Sequence, residues 1–107
     1  MITIYGIKTC DSCQKALKYF SVKATFVDIR SNPLSTEKLE LFLTLFGNQL
    51  INTRSKTWQS LNSEEQAKKS IELLEEFPLL IKRPIIECSD TLTTTIGWNE
   101  KIRNEYN

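Results

Sequence analysis

The stretch Lys8-Thr9-Cys10-Asp11-Ser12-Cys13-Gln14-Lys15-Ala16 constrains this chain more than any other. A β-like run, Ile2-Thr3-Ile4-Tyr5, precedes it, and a helical run from Cys13 to Phe20 follows. A Cys-x-x-Cys at a strand-to-helix junction of a small chain points to thiol–disulfide chemistry. At a helix start, unpaired N–H groups and the helix dipole favour a thiolate over a thiol. The first cysteine can then attack a disulfide, and the second, one turn later, can resolve the mixed disulfide. Cys13, Ala16, Leu17 and Phe20 stand at i, i+3, i+4 and i+7, the apolar stripe of a core-facing helix. Cys13 is therefore expected to be the inner thiol and Cys10 the outer, nucleophilic one.

Two plainer readings of the pair stay open. One is half of a zinc site, but four ligands are usual, and the chain offers only Cys88 besides, with no histidine. The other is a pair of inert thiols. Cys88 itself reads most simply as a small apolar residue in a strand. No metal, haem or nucleotide site is expected.

The remaining elements follow from pattern. Thr25 to Ile29 reads as a second strand, so strand, helix and strand form a βαβ unit with parallel strands. Asn32-Pro33 ends it. Ser35 or Thr36 caps the next helix, whose stripe is Leu39, Phe42, Leu43 and Phe46, with Gly47 as its stop. A polar loop, Ile51 to Lys56, leads to a short helical stretch around Thr57 to Leu61. Ser63 with Gln66 fits a capping box for a helix that turns Ala67, Ile71 and Leu74 inward and stops before Pro78. Ile85 to Cys88, a Ser89-Asp90 turn and Thr91 to Ile96 read as a β-hairpin. Gly97 ends it, and a last helix runs from Asn99 to about Glu105. The order βαβ, helices, ββα predicts an α/β thioredoxin-like (glutaredoxin-like) fold, a four-stranded mixed sheet with an inserted helical block.

At 107 residues the chain is expected to be one domain, residues 1–107, with a single core. Fourteen Lys and Arg against 13 Asp and Glu give a net charge of +1, which argues against nonspecific binding to DNA or an anionic membrane. No signal peptide or membrane span is expected, and three cysteines do not make a disulfide framework. A reducing cytoplasm is the expected location, and a monomer the expected state.

Several segments together resemble the arsenate reductase/Spx family: Tyr5 to Cys10, Gln14-Lys15-Ala16, Asn52-Thr53-Arg54-Ser55-Lys56, Leu80-Ile81-Lys82-Arg83-Pro84-Ile85-Ile86 and Ile96-Gly97-Trp98. The resemblance implies a glutaredoxin-like fold in which Pro84 of the Arg-Pro pair is cis and faces the cysteine loop. It implies that Arg54 and Arg83 surround the nucleophilic cysteine and an oxyanion, a role that a guanidinium fork suits. The activity implied is a thiol-dependent, arsenate reductase-like oxidoreductase with Cys10 as nucleophile and Cys13 as resolving thiol. No cofactor is bound, and the electron donor is glutathione or a thioredoxin- or glutaredoxin-type protein. The family's third active-site arginine has no match, since the next arginine after Arg83 is Arg103. The CxxC and Thr-Arg-Ser-Lys resemble Spx, which implies the alternative of a redox-sensing regulator that binds RNA polymerase through its alpha subunit. The Gly-Ile-Lys start and Lys15-Ala16 are similar to the uncharacterised reductase-like branch.

Overall fold

The computed structural model describes residues 1–107 and contains one four-stranded sheet. Its strands are β1 (Ile2–Gly6), β2 (Ala24–Asp28), β3 (Ile85–Cys88) and β4 (Thr93–Ile96), in the order β2-β1-β3-β4. β1 runs parallel to β2, with Ile4 opposite Phe26, and antiparallel to β3, with Ile4 opposite Ile86. β3 and β4 form the predicted hairpin. The helices are α1 (Asp11–Phe20), α2 (Thr36–Phe46), α3 (Lys56–Ser60), α4 (Ser63–Gln66), α5 (Ser70–Glu76) and α6 (Glu100–Asn104). This is the thioredoxin-like arrangement with a mixed sheet. No helix is long and apolar enough to cross a membrane.

The chain forms two compact units, one of residues 1–29 with 83–107 and one of residues 30–82. The first holds the whole sheet, with α1 and α6. The βαβ connection forms because α1 carries Cys13, Ala16 and Phe20 on one buried face, as its spacing predicts. Ile4, Ala16, Phe20 and Ile86 make the core, and Phe26, Leu17, Trp98 and Tyr106 pack around it. The chain leaves α1 at Ser21, whose N–H bonds back to the Leu17 carbonyl.

The second unit is the helical block. Ser35 caps α2 by accepting from the Lys38 N–H, and Gly47 ends it at φ 58°, a left-handed value that glycine adopts without a Cβ penalty. Leu39 and Phe42 of α2 and Leu73 and Leu74 of α5 are buried. The expected helix from Ser63 to Pro78 is instead two. Asn62, not Ser63, is the cap, in a box completed by Glu65. The chain then breaks at residues 67–69 before α5 begins, so Ala67 is exposed and Ile71 only half-buried. Asn accepts the N3 bond as well as Ser does, and α4 is too short to carry a stripe of its own.

Tyr106 fastens the C-terminal segment to the sheet. Its hydroxyl lies 2.6 Å from Thr95 Oγ1 and donates to the Ile86 carbonyl at 3.2 Å, while its ring meets Phe20 edge-on at 5.2 Å. Tyr106→Phe keeps the ring but strips a partner from the buried Thr95. We expect a loss of about 1–2 kcal/mol, read as a lower urea midpoint, and Thr95→Val in the same background should return part of it.

Candidate functional site

β1 ends at Gly6 and α1 begins at Asp11, so the four residues between them decide where the first thiol sits. The Cys10 N–H bonds to the Ile7 carbonyl at 3.1 Å, and the Gln14 side-chain amide donates to the Lys8 carbonyl at 2.7 Å. These two bonds close the loop. Cys10 then occupies the N-cap of α1 in an extended conformation, half-exposed, and its carbonyl accepts the first helical bond, from Gln14.

The two thiols are driven in opposite directions. Burial alone would raise Cys10, but it is outweighed by hydrogen bonds from the Cys13 N–H and thiol and by the hydrogen bond and charge of Arg83. The Cys10 thiol therefore lies below its ordinary value. It makes no formal side-chain cap on the helix; a sulfur faced by an N–H at longer range is polarised by it all the same. Cys13 is fully buried, and burial, with the hydrogen bond and charge of Cys10, pushes its thiol up to about 12 despite the Ile7 hydrogen bond and the charge of Arg83. Of the two, Cys10 is thus the thiol that ionises more readily, and Cys13 the one that keeps its proton to higher pH. All three cysteines are free.

Gly6 makes this arrangement possible. A Cβ on Gly6 would stand 2.4 Å from Cys13 Sγ and 3.3 Å from Cys13 Cβ. The last residue of β1 must therefore lack a side chain if α1 is to press its inner thiol against the strand. Beside the thiols, a cavity of about 280 Å³ is lined by Ile7, Lys8, Cys13, Gln14, Leu17 and Phe26, mostly apolar with an amine and an amide.

Of the residues expected at the site, the structure brings Cys10, Cys13 and Arg83 together. Arg83 is half-buried at the start of the β3 segment, and the Arg83–Pro84 peptide bond is cis. Pro84 is buried, and its carbonyl accepts from the Gly97 N–H at 2.8 Å. Arg54 belongs to the other unit. It is exposed, in the loop before α3, with its backbone N–H held by Asn52 Oδ1 at 3.1 Å. Cys88 pairs with Ile2, at the end of β1 remote from Cys10. Hydrogen bonds from Thr91 lower its thiol as well. No three His, Cys, Asp or Glu side chains converge as metal ligands. The roles of Gly6 and Gln14 escaped the pattern reading. A glycine closing the strand before a buried-cysteine helix was the available signal for the first.

A thioredoxin-like sheet with a dithiol at the start of its first helix, an arginine on the outer sulfur and a cis-proline defines a class of dithiol proteins. Residues 5–105 match the ArsC family, and the chain belongs to that family. It is 41% identical over 111 residues to an uncharacterised protein of Haemophilus influenzae, covering 94% of each chain. It is 36% identical over 109 residues to the global transcriptional regulator Spx of Streptococcus pneumoniae, covering 94% of this chain and 80% of that one. Among solved structures, an arsenate reductase (ArsC) related protein from Brucella melitensis superposes with a TM-score of 0.72 at 28% identity, over 98% of this chain and 92% of that one.

Gly6→Ala should force the Cys13 sulfur aside. Because Gly6 is not in a left-handed conformation, the cost is steric, about 1–3 kcal/mol, measured by chemical denaturation. Adding Cys13→Ala removes the 2.4 Å clash and should recover most of the loss. An additive double mutant would show that the two residues do not meet.

Proposed function

We propose that this protein is a thiol–disulfide oxidoreductase of the arsenate reductase-like type. What carries the reading is the opposite displacement of two thiols one turn apart, with Arg83 on the outer one. The Cys10 thiolate attacks one sulfur of a disulfide; that bond breaks, the other sulfur leaves as a thiolate, and a mixed disulfide remains. Cys13 then gives up its proton and attacks Cys10 Sγ, which releases the second substrate thiolate and forms a Cys10–Cys13 disulfide. The substrate gains two electrons, and glutathione or a thioredoxin- or glutaredoxin-type dithiol returns them to the protein. Arg83, beside Cys10, binds an anionic group of substrate or donor, and Arg54 is proposed as a second anion-binding group on the family resemblance alone. The protein works as a monomer in a reducing cytoplasm.

A second reading is favoured by the likeness to Spx. In it the same disulfide changes the grip of the chain on RNA polymerase. Glutathione turnover assays beside pull-downs with the polymerase alpha subunit, in reduced and oxidised forms, separate the two. Polymerase capture controlled by the disulfide, without turnover, would move the assignment to a regulator.

Cys10 should alkylate faster than Cys13 at mildly acidic pH, read site by site by mass spectrometry in a Cys88→Ala background, since Cys88 is itself thiolate-prone. The sign follows from linkage: a depressed thiol keeps its thiolate, and so its rate, below the ordinary thiol range, and loses both as pH falls through the shifted value. Arg83→Ala should move the rate profile to higher pH, and Arg83→Lys should restore only part, having charge without the planar fork. An unmoved profile in Arg83→Ala would sink the assigned role.

Arsenate reduction coupled to glutathione and glutaredoxin should be slight or absent, because only Arg54 and Arg83 match the family's three arginines. Robust turnover would show that two arginines and the helix-start N–H groups suffice.

A further inference from the structure

α1 has a second depression on its other flank, beyond the turn that carries the thiols. It is an open groove of about 330 Å³ lined by Lys15, Lys18, Tyr19, Trp98 and Arg103. Lys18 lies eight residues after Cys10, about 12 Å along the helix axis, so the groove is distinct from the thiol site.

Three cations meet here in a chain whose net charge is only +1, and no acidic side chain lines the groove. Lys15 leans on Asp11 at 3.4 Å, but both side chains are well exposed, so that pair is weak and salt-screened. Lys18 and Arg103 have no ion-pair partner within the chain. Between the cations stands a rigid aromatic floor. Tyr19 and Trp98 have ring centroids 5.4 Å apart, and each also packs on Phe20 of the core, at 5.1 and 5.7 Å. The Tyr19 hydroxyl is tied to Asn107 Oδ1. The floor therefore needs no ordering when something docks on it.

An exposed Tyr19 and Arg103 with a half-buried Trp98 on a fixed apolar floor is the composition of a protein-binding hot spot. An open groove suits a segment of another protein better than a small ligand, which is normally enclosed. Nucleic acid is disfavoured, because three cations on a near-neutral chain give few of the phosphate contacts that such binding needs. We propose that this groove docks an acidic segment of a partner protein, with carboxylates on Lys18 and Arg103 and an apolar side chain on Tyr19 and Trp98. The inference goes beyond the thiol chemistry and stands or falls without it.

The test uses the full reduced chain carrying Trp58→Phe, which leaves Trp98 as the single indole N–H reporter in NMR. The probe is a capped synthetic peptide of Glu and Asp around one central Phe. Its controls are the same peptide with Lys in place of the acids, and an oligothymidylate. The acidic peptide should shift the Trp98 signal saturably and bind more weakly as salt rises. Lys18→Glu and Arg103→Gln should each weaken it by about fivefold, while Lys23→Glu, a matched charge change outside the groove, should leave it nearly unchanged. An unmoved Trp98 signal, equal binding of the Lys peptide, or equal weakening by Lys23→Glu would overturn the proposal. Tighter binding of the oligothymidylate at Trp98 would reassign the groove to nucleic acid.

Discussion

The contact on which the first unit depends is that between Gly6 and Cys13. It sets how closely α1 approaches the strand at the centre of the sheet. With α1 pressed that near, the Cys13 sulfur is sealed from water, Ala16 and Phe20 reach the core beneath it, and Cys10 is left at the rim facing the Cys13 N–H. β1 pairs with both β2 and β3, so the loop after it is braced from two sides. A larger residue at position 6 would disturb all of these relations together.

The division of labour between the thiols follows from burial and hydrogen bonding, not from sequence chemistry, since both are cysteine. Water is withheld from Cys13, which makes its thiolate costly. Cys10 is also partly buried, yet it gathers a backbone N–H, a neighbouring S–H and a guanidinium. The S–H is the link between them, for the proton that Cys13 keeps is the one that steadies charge on Cys10. Cys88 has a lowered thiol from the local turn at Thr91 instead, without an arginine among its causes.

Much of this was legible in the sequence. The stripe Cys13, Ala16, Phe20 told inner thiol from outer because helical spacing alone decides which residues share a face. The element order and the inserted block followed from alternating strand and helix patterns, and the block coincides with residues 30–82. Local chemistry was harder to read. Asn62 and Ser63 are both good caps, and only the chain's actual turn chose between them. The break at residues 67–69 left no sign, because Ala, Lys and Lys are all helix formers and tertiary packing overrode them. The meeting of Arg83 with Cys10 joins residues far apart in the chain, which periodicity cannot see; family resemblance supplied it.

The sheet is assembled from the two ends of the chain, with the helical block between them. β1 and β2 are neighbours in sequence, but β1 meets β3 only after a long loop has closed, and such closure is entropically slow. Arg83 arrives with β3. Until then Cys10 sits on a βα unit without its guanidinium, and its thiol is correspondingly more ordinary. A chain that ended before residue 83 would therefore carry the Cys-x-x-Cys motif without one of the groups that lower the Cys10 thiol, and without the β1–β3 pairing that braces the loop bearing it.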